Sequence, residues 1–240
     1  MKPEWAEDFP RLYELYSESD HAKGNNYFDD FDKIISYPHS RSKYKILESE
    51  LEQIDDAAWQ AFKKRALPYV TVRDTDRQWQ QLFDAFDEVK GCLWLKSKGC
   101  DDIRFIPKGS ETTPDLRARC GTYDILMEVK TINMSDAEIL YRRSNSEIGS
   151  DGLRHMQARE IGQWWNDSVE PLKKKIMSTY EVARQQLRTP DFTSIHRRIA
   201  LFVIHFDLCL SLDSQIFDEF LANVGLPDDK GIEVVFVRAQ

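Results

Sequence analysis

The chain has 240 residues, 41% of them apolar and 12% aromatic, enough to bury a sizeable core. Its formal charge of −8 is concentrated at the front: residues 1–60 hold 14 acids against 7 bases, whereas residues 140–200 hold 11 bases against 7 acids. No apolar run reaches the roughly 18 residues a membrane span needs, and the first twenty residues are polar and acidic, so neither a span nor a secretory leader is expected and a cytoplasmic location is.

Residues 1–75 read as a helical N-terminal region suited to recognising a partner or target, without a nameable motif. Trp5 to Tyr16 predicts a short helix, and Glu48 to Ala66 a longer one with Leu51, Ile54, Ala58 and Phe62 as its apolar stripe. Residues 20–46 between them are polar and rich in turn formers, Pro38 included, and His39–Lys45 reads as a surface loop.

A second region, 76–240, opens with a helix over 76–98. Trp79, Leu82, Phe83, Phe86, Val89 and Leu93 form one stripe, and Lys98-Gly99 closes the helix. Glu88 lies just off the stripe. A short strand, Ile103–Ile106, and a Pro-Lys-Gly-Ser loop at 107–110 lead to Pro114-Asp115. Two strand-like runs then flank a Gly121-Thr122 turn. Alternation on the second run puts Glu128 and Lys130 on one face and Ile125, Met127 and Val129 on the other. Asp115, at the start of the partner strand, faces the same pair across the hairpin. Two carboxylates hold a hard divalent cation through oxygen, and a neighbouring ammonium steers water or stabilises a phosphate, the requirements of metal-dependent phosphodiester hydrolysis.

Residues 134–167 form a polar insert with Arg142, Arg143, Arg154, Arg159 and the pair Trp164-Trp165, which suit either a substrate-facing loop that stacks bases or ordinary packing. A helix follows, striped by Val169, Leu172, Ile176, Tyr180, Ala183 and Leu187. Ile199–Phe206 is nearly continuous in apolar residues, as expected of a strand covered on both faces. A helix at 214–222 and a strand at 232–237 complete the chain. His205, ending the apolar strand, reads as a satisfied core or rim residue rather than a ligand. Cys92, Cys100, Cys120 and Cys209 lack Cys-x-x-Cys spacing and read as reduced structural thiols, not a zinc site.

Pro114-Asp115 followed by Glu128-Val129-Lys130-Thr131, in the order helix, strand, strand, strand, resembles the PD-(D/E)xK nuclease superfamily. The Holliday-junction-resolvase-like members are nearest in character, because Glu88 stands about three turns before the Lys98-Gly99 helix end. The resemblance implies an α/β restriction-endonuclease-like αβββαβ core, with a mixed central sheet flanked by helices, to which the N-terminal helices are appended. It implies a nuclease that binds Mg²⁺ or Mn²⁺ through Asp115, Glu128, the backbone carbonyl of Val129 and Glu88, with Lys130 positioning water or offsetting charge. The expected substrate is DNA, in restriction, repair, recombination or defence, and a homodimer is a plausible assembly. Arg117 and Arg119, on the strand face of Asp115, are expected nucleic-acid contacts together with Lys108 and Lys175. The superfamily's further Gln or Lys on the second helix is left open among Lys175, Gln185 and Gln186. An RNA-cleaving or toxin-like nuclease, and a non-catalytic nucleic-acid-binding or assembly module, are the alternatives. No Gly-rich phosphate loop is present, so no nucleotide cofactor is expected.

Overall fold

In a computed structural model, residues 2–74, 78–108, 113–132, 158–189, 192, 194–205, 214–227, 229 and 231–239 are described, with backbone alone at 23, 158–168 and 214–217. Helices α1 (Pro10–Glu18), α2 (Phe31–Ser36), α3 (Pro38–Glu52), α4 (Asp56–Val70) and α5 (Gln80–Ser97) come first. Strands β1 (Asp101–Phe105), β2 (Leu116–Cys120) and β3 (Tyr123–Ile132) follow, then α6 (Ala158–Leu187), β4 (Arg197–Ile204), α7 (Ser214–Ala222) and β5 (Glu233–Arg238). The sheet order is β1-β2-β3-β4-β5, antiparallel through β3 and parallel from β3 to β5. The protein is therefore α/β, with a five-stranded mixed sheet flanked by helices. Among the described residues no helix is long and apolar enough to cross a membrane.

Alternation along β3 and β4 divides the core into two layers. Ile125, Met127, Val129, Ile199, Leu201 and Val203 face α5 and the N-terminal helices. Leu126, Ile132, Ala200, Phe202 and Ile204 face the apolar stripe of α6. The first layer continues without a break into Trp5, Phe9, Phe31, Trp59 and Phe62, so the N-terminal helices share a core with the sheet. Phe62 of α4 lies 6.0 Å from Phe86 of α5 and 5.8 Å from Phe105 of β1, centroid to centroid.

The N-terminal region is more helical than its composition suggests. Pro38 occupies the first turn of α3, where its missing N–H costs nothing, so His39–Lys45 is helix rather than loop. The single helix expected over 48–66 is two: Asp55 adopts an extended backbone and accepts the Ala58 N–H at 2.8 Å, starting α4 afresh. Glu48 of α3 accepts the free N–H groups of Arg11 (2.6 Å) and Leu12 (3.1 Å), so one helix caps another.

Two glycines fix local geometry. Gly121, at φ 60°, makes the two-residue turn between β2 and β3, whose last pair is Cys120 with Tyr123. Gly91 sits where α5 presses on the sheet; a Cβ there would stand 2.6 Å from Val129 Cγ2 and 3.0 Å from Leu116 Cδ1. Gly91→Leu is expected to lower unfolding free energy by about 1–3 kcal/mol through overpacking, read from urea denaturation.

The thiols are not all reduced. Cys100, just before β1, and Cys120, at the end of β2, form a disulfide, their Cα atoms 4.2 Å apart; Cys92 is free and buried. Adjacent antiparallel strands bring them opposite one another, since Asp101 pairs with Arg119 in register, a relation that linear spacing conceals.

Candidate active site

β2 runs beside β3 only as far as the pair Leu116–Met127. Beyond it, Glu128 to Ile132 pair with β4 alone. At this fork stands Asp115, immediately before β2 rather than within it. Its N–H donates to the Met127 carbonyl (3.1 Å), its carbonyl accepts from Ile106 N–H (2.9 Å), and its Oδ2 accepts from Val129 N–H (2.9 Å). The side chain thus satisfies a strand amide that a departing neighbour would leave unpaired.

Three carboxylates meet there: Asp115 at 5% exposure, Glu88 at 5% and Glu128 at 1%. Glu128 and Lys130 share a face of β3, and Lys130 Nζ lies 2.6 Å from Glu128 Oε1. The same ammonium donates to Gln186 Oε1 of α6 at 2.6 Å. Among the second-helix candidates it is therefore Gln186 that reaches the cluster. Glu88 arrives from α5, and Lys108 lies 3.9 Å from its Oε1 at the exposed rim. Glu88, just off the apolar stripe, is nonetheless buried, with Arg65 of α4 against it.

The residue that sequence reading missed is Arg65. It projects from α4, with its side chain 6% exposed, and pairs with both Glu88 Oε2 and Asp115 Oδ1. Its Nη1 donates to the Ile106 carbonyl at 2.8 Å. The available signal was weak: Arg65 falls beside Phe62 and Ala66 on the buried stripe of α4, where a charge must find a partner.

With all three carboxylates ionised, Arg65 and Lys130 balance two of the charges and leave the third to Lys108 at the rim. Burial, reinforced by the Asp115 charge, lifts the Glu88 carboxyl from 4.5 to about 8 against the pull of Arg65 and Lys108. Burial and Asp115 also hold Glu128 well above the ordinary range. Between about pH 4.5 and about 8 the folded chain keeps a proton on Glu88 that the unfolded chain releases, so stability falls as pH rises through that window. In EDTA, the melting temperature is expected to drop across this window, and Glu88→Gln to flatten the drop.

All donors in the cluster are oxygens, the chemistry that Mg²⁺ and Mn²⁺ prefer. Glu128 Oε2 is buried with no hydrogen-bond partner among the described residues, an acceptor that a cation would satisfy. Against this, no group of three or more His, Cys, Asp or Glu side chains among the described residues is placed to hold a metal ion, and Arg65 lies between two of the carboxylates.

The expected nucleic-acid contacts are scattered. Arg117 and Arg119 are exposed and lie 3.5 and 3.7 Å from Asp124 of β3, toward the hairpin turn. Lys175 is half-buried on α6, eleven residues before Gln186 and so about 16 Å along the helix. Of the bases within 140–200, Arg197 pairs with Glu233 while Arg198 donates to the carbonyls of Leu187 and Phe192. Residues 134–157 of the insert lie outside the described residues, as do the side chains of Trp164 and Trp165; 158–167 begin α6.

A second polar group flanks the first. Asp87 accepts from Thr131 Oγ1 at 2.8 Å, and His205 Nε2 lies 2.6 Å from the same Asp87 oxygen. His205 is thus a partnered rim residue. Comparison with protein-family models, curated proteins and solved structures finds no match to this chain.

Proposed function

We propose that the chain is a metal-dependent nuclease of the restriction-endonuclease-like kind, acting on DNA. The observation that carries the reading is the meeting of Asp115, Glu128, Lys130 and Glu88 at the fork between β2 and β3, with a buried, unpartnered oxygen on Glu128. The element order α5-β1-β2-β3-α6-β4 supports it, as does Gln186 beside Lys130. Asp115, Glu128 and Glu88 would hold the ion, with the Val129 carbonyl adjoining. A bound Mg²⁺ or Mn²⁺ supplies the positive charge that polarises a phosphodiester and acidifies water.

The chain's own residues do the rest. Asp115 is fixed by the Val129 N–H, so its other oxygen, the one paired with Arg65, has one direction. Lys130, anchored by Gln186, keeps an ammonium where charge develops on the phosphate and orients the attacking water. Lys108, exposed at the rim near Glu88, would meet the backbone of a strand. A cytoplasmic location and a homodimer that cuts both strands belong to the same proposal.

Incubation of the purified protein with linear and plasmid duplex, single-stranded and branched DNA, and RNA, in Mg²⁺, Mn²⁺ or EDTA, tests it. Divalent-dependent cutting of DNA is expected. Cutting of RNA alone transfers the reading to an RNA nuclease on the same site.

A further inference from the structure

Arg65 stands where a cation belongs. Its guanidinium spans Asp115 Oδ1 and Glu88 Oε2, and the Ile106 carbonyl fixes it from behind at 2.8 Å. The other Asp115 oxygen is committed to the Val129 N–H at 2.9 Å, so Oδ1 is the oxygen that Asp115 turns to the cluster, and Arg65 has it. On the far side Lys130 takes Glu128 Oε1, while Oε2 is left without a partner. Arg65 of α4 thus stands against two of the three carboxylates; it is in ion contact with Glu88 Oε2 without hydrogen-bonding it, so Glu88 and Glu128 both keep spare acceptor capacity.

We infer that Arg65 is the built-in counter-cation of this site, and that a divalent ion enters by displacing its guanidinium from Asp115 and Glu88. The inference rests on the metal-site reading above. Charge supports an exchange rather than an addition. With the three carboxylates ionised, as ligands to a metal must be, Arg65, Lys130 and the rim Lys108 bring the sum to zero. A divalent ion in place of Arg65 adds one positive charge; one bound beside it adds two, with two cations contending for one Asp115 oxygen. Buried like charges in contact are costly. Burial of Arg65 makes it a tenant rather than a passer-by: it holds the carboxylates together when no ion is bound, and it belongs to a helix of the N-terminal region. Ion binding therefore reaches into α4, which a site built from β2, β3 and α5 alone would leave untouched.

The test compares wild type, Arg65→Met and Arg65→Lys by calorimetric titration with Mn²⁺ and by melting in Mn²⁺ and in EDTA. Arg65→Met is expected to bind Mn²⁺ about tenfold or more tightly than wild type. Its melting temperature should fall in EDTA and rise further with Mn²⁺ than that of wild type. Arg65→Lys, which keeps the charge but loses the two-pronged contact, should fall between. Should Arg65→Met fail to fold in EDTA, recovery of its fold by Mn²⁺ supports displacement, and Arg65→Lys supplies the affinity. Equal or weaker Mn²⁺ binding in both variants overturns the inference and leaves the metal site standing, Arg65 then being a brace for the ligands. Absence of any Mn²⁺ effect in all three proteins overturns the metal-site reading with it.

Discussion

Lys130→Ala is expected to reduce cleavage by roughly 10²–10³-fold or more, the scale on which loss of one group stabilising transition-state charge is felt. The fold should survive. Lys130 is partly exposed on β3, and its ammonium contacts Glu128 Oε1 and Gln186 Oε1, both at 2.6 Å, rather than the apolar layers. Val129 and Thr131 on either side keep their pairing with β4. Removing the ammonium leaves Glu128, already held well above the ordinary carboxylate range by burial, with less reason still to ionise alone. A divalent ion then becomes its one compensating charge, so the rise in melting temperature with Mn²⁺ should persist as cleavage disappears. Single-turnover cleavage alongside thermal melting checks both halves. Lys130→Arg should recover little, since a planar guanidinium spreads its charge over three nitrogens and does not concentrate it where the compact ammonium was.

Asp115→Asn is expected to lower stability by about 3–5 kcal/mol, because it takes a charge partner from the buried Arg65. Asp115 Oδ1 pairs with Arg65 and Oδ2 accepts the Val129 N–H. An amide has one acceptor. If that oxygen serves Val129, the NH₂ group is turned on Arg65; if it serves Arg65, the NH₂ group meets the Val129 amide. Donor faces donor either way. Guanidinium denaturation measures the loss, and Mn²⁺ should no longer raise the melting temperature. A variant as stable as wild type would mean that Arg65 draws its stability elsewhere.

Much of the scaffold was legible in the chain. The alternation Ile125-Leu126-Met127-Glu128-Val129-Lys130 reads correctly as a strand with two unlike faces, and within the apolar run Ile199–Phe206 the residues up to Ile204 form the doubly covered strand, Phe206 lying outside the described residues. The stripe from Val169 to Leu187 marks α6, although the helix begins earlier, at Ala158, where polar residues hide its period. Periodicity carries such elements because each buries one face against one neighbour. It says nothing of contacts between distant segments. Arg65 lies 50 residues from Asp115 in sequence, and a lone arginine on a helical stripe carries no mark of its partner. Cys100 and Cys120 likewise meet through strand register. His39–Lys45 was obscured differently: its polar residues suit a loop or an exposed helix equally, and Pro38 starts the helix here where it could as well have ended one.

The central claim is that the Asp115–Glu128–Lys130 cluster hydrolyses phosphodiester bonds with a divalent ion. Its most direct test is duplex DNA cleavage by the purified chain in Mn²⁺ and in EDTA, with Lys130→Ala run beside it. The account predicts cutting by wild type in Mn²⁺ and none in the other three combinations. Cutting that survives EDTA, or that Lys130→Ala performs as well as wild type, would contradict it.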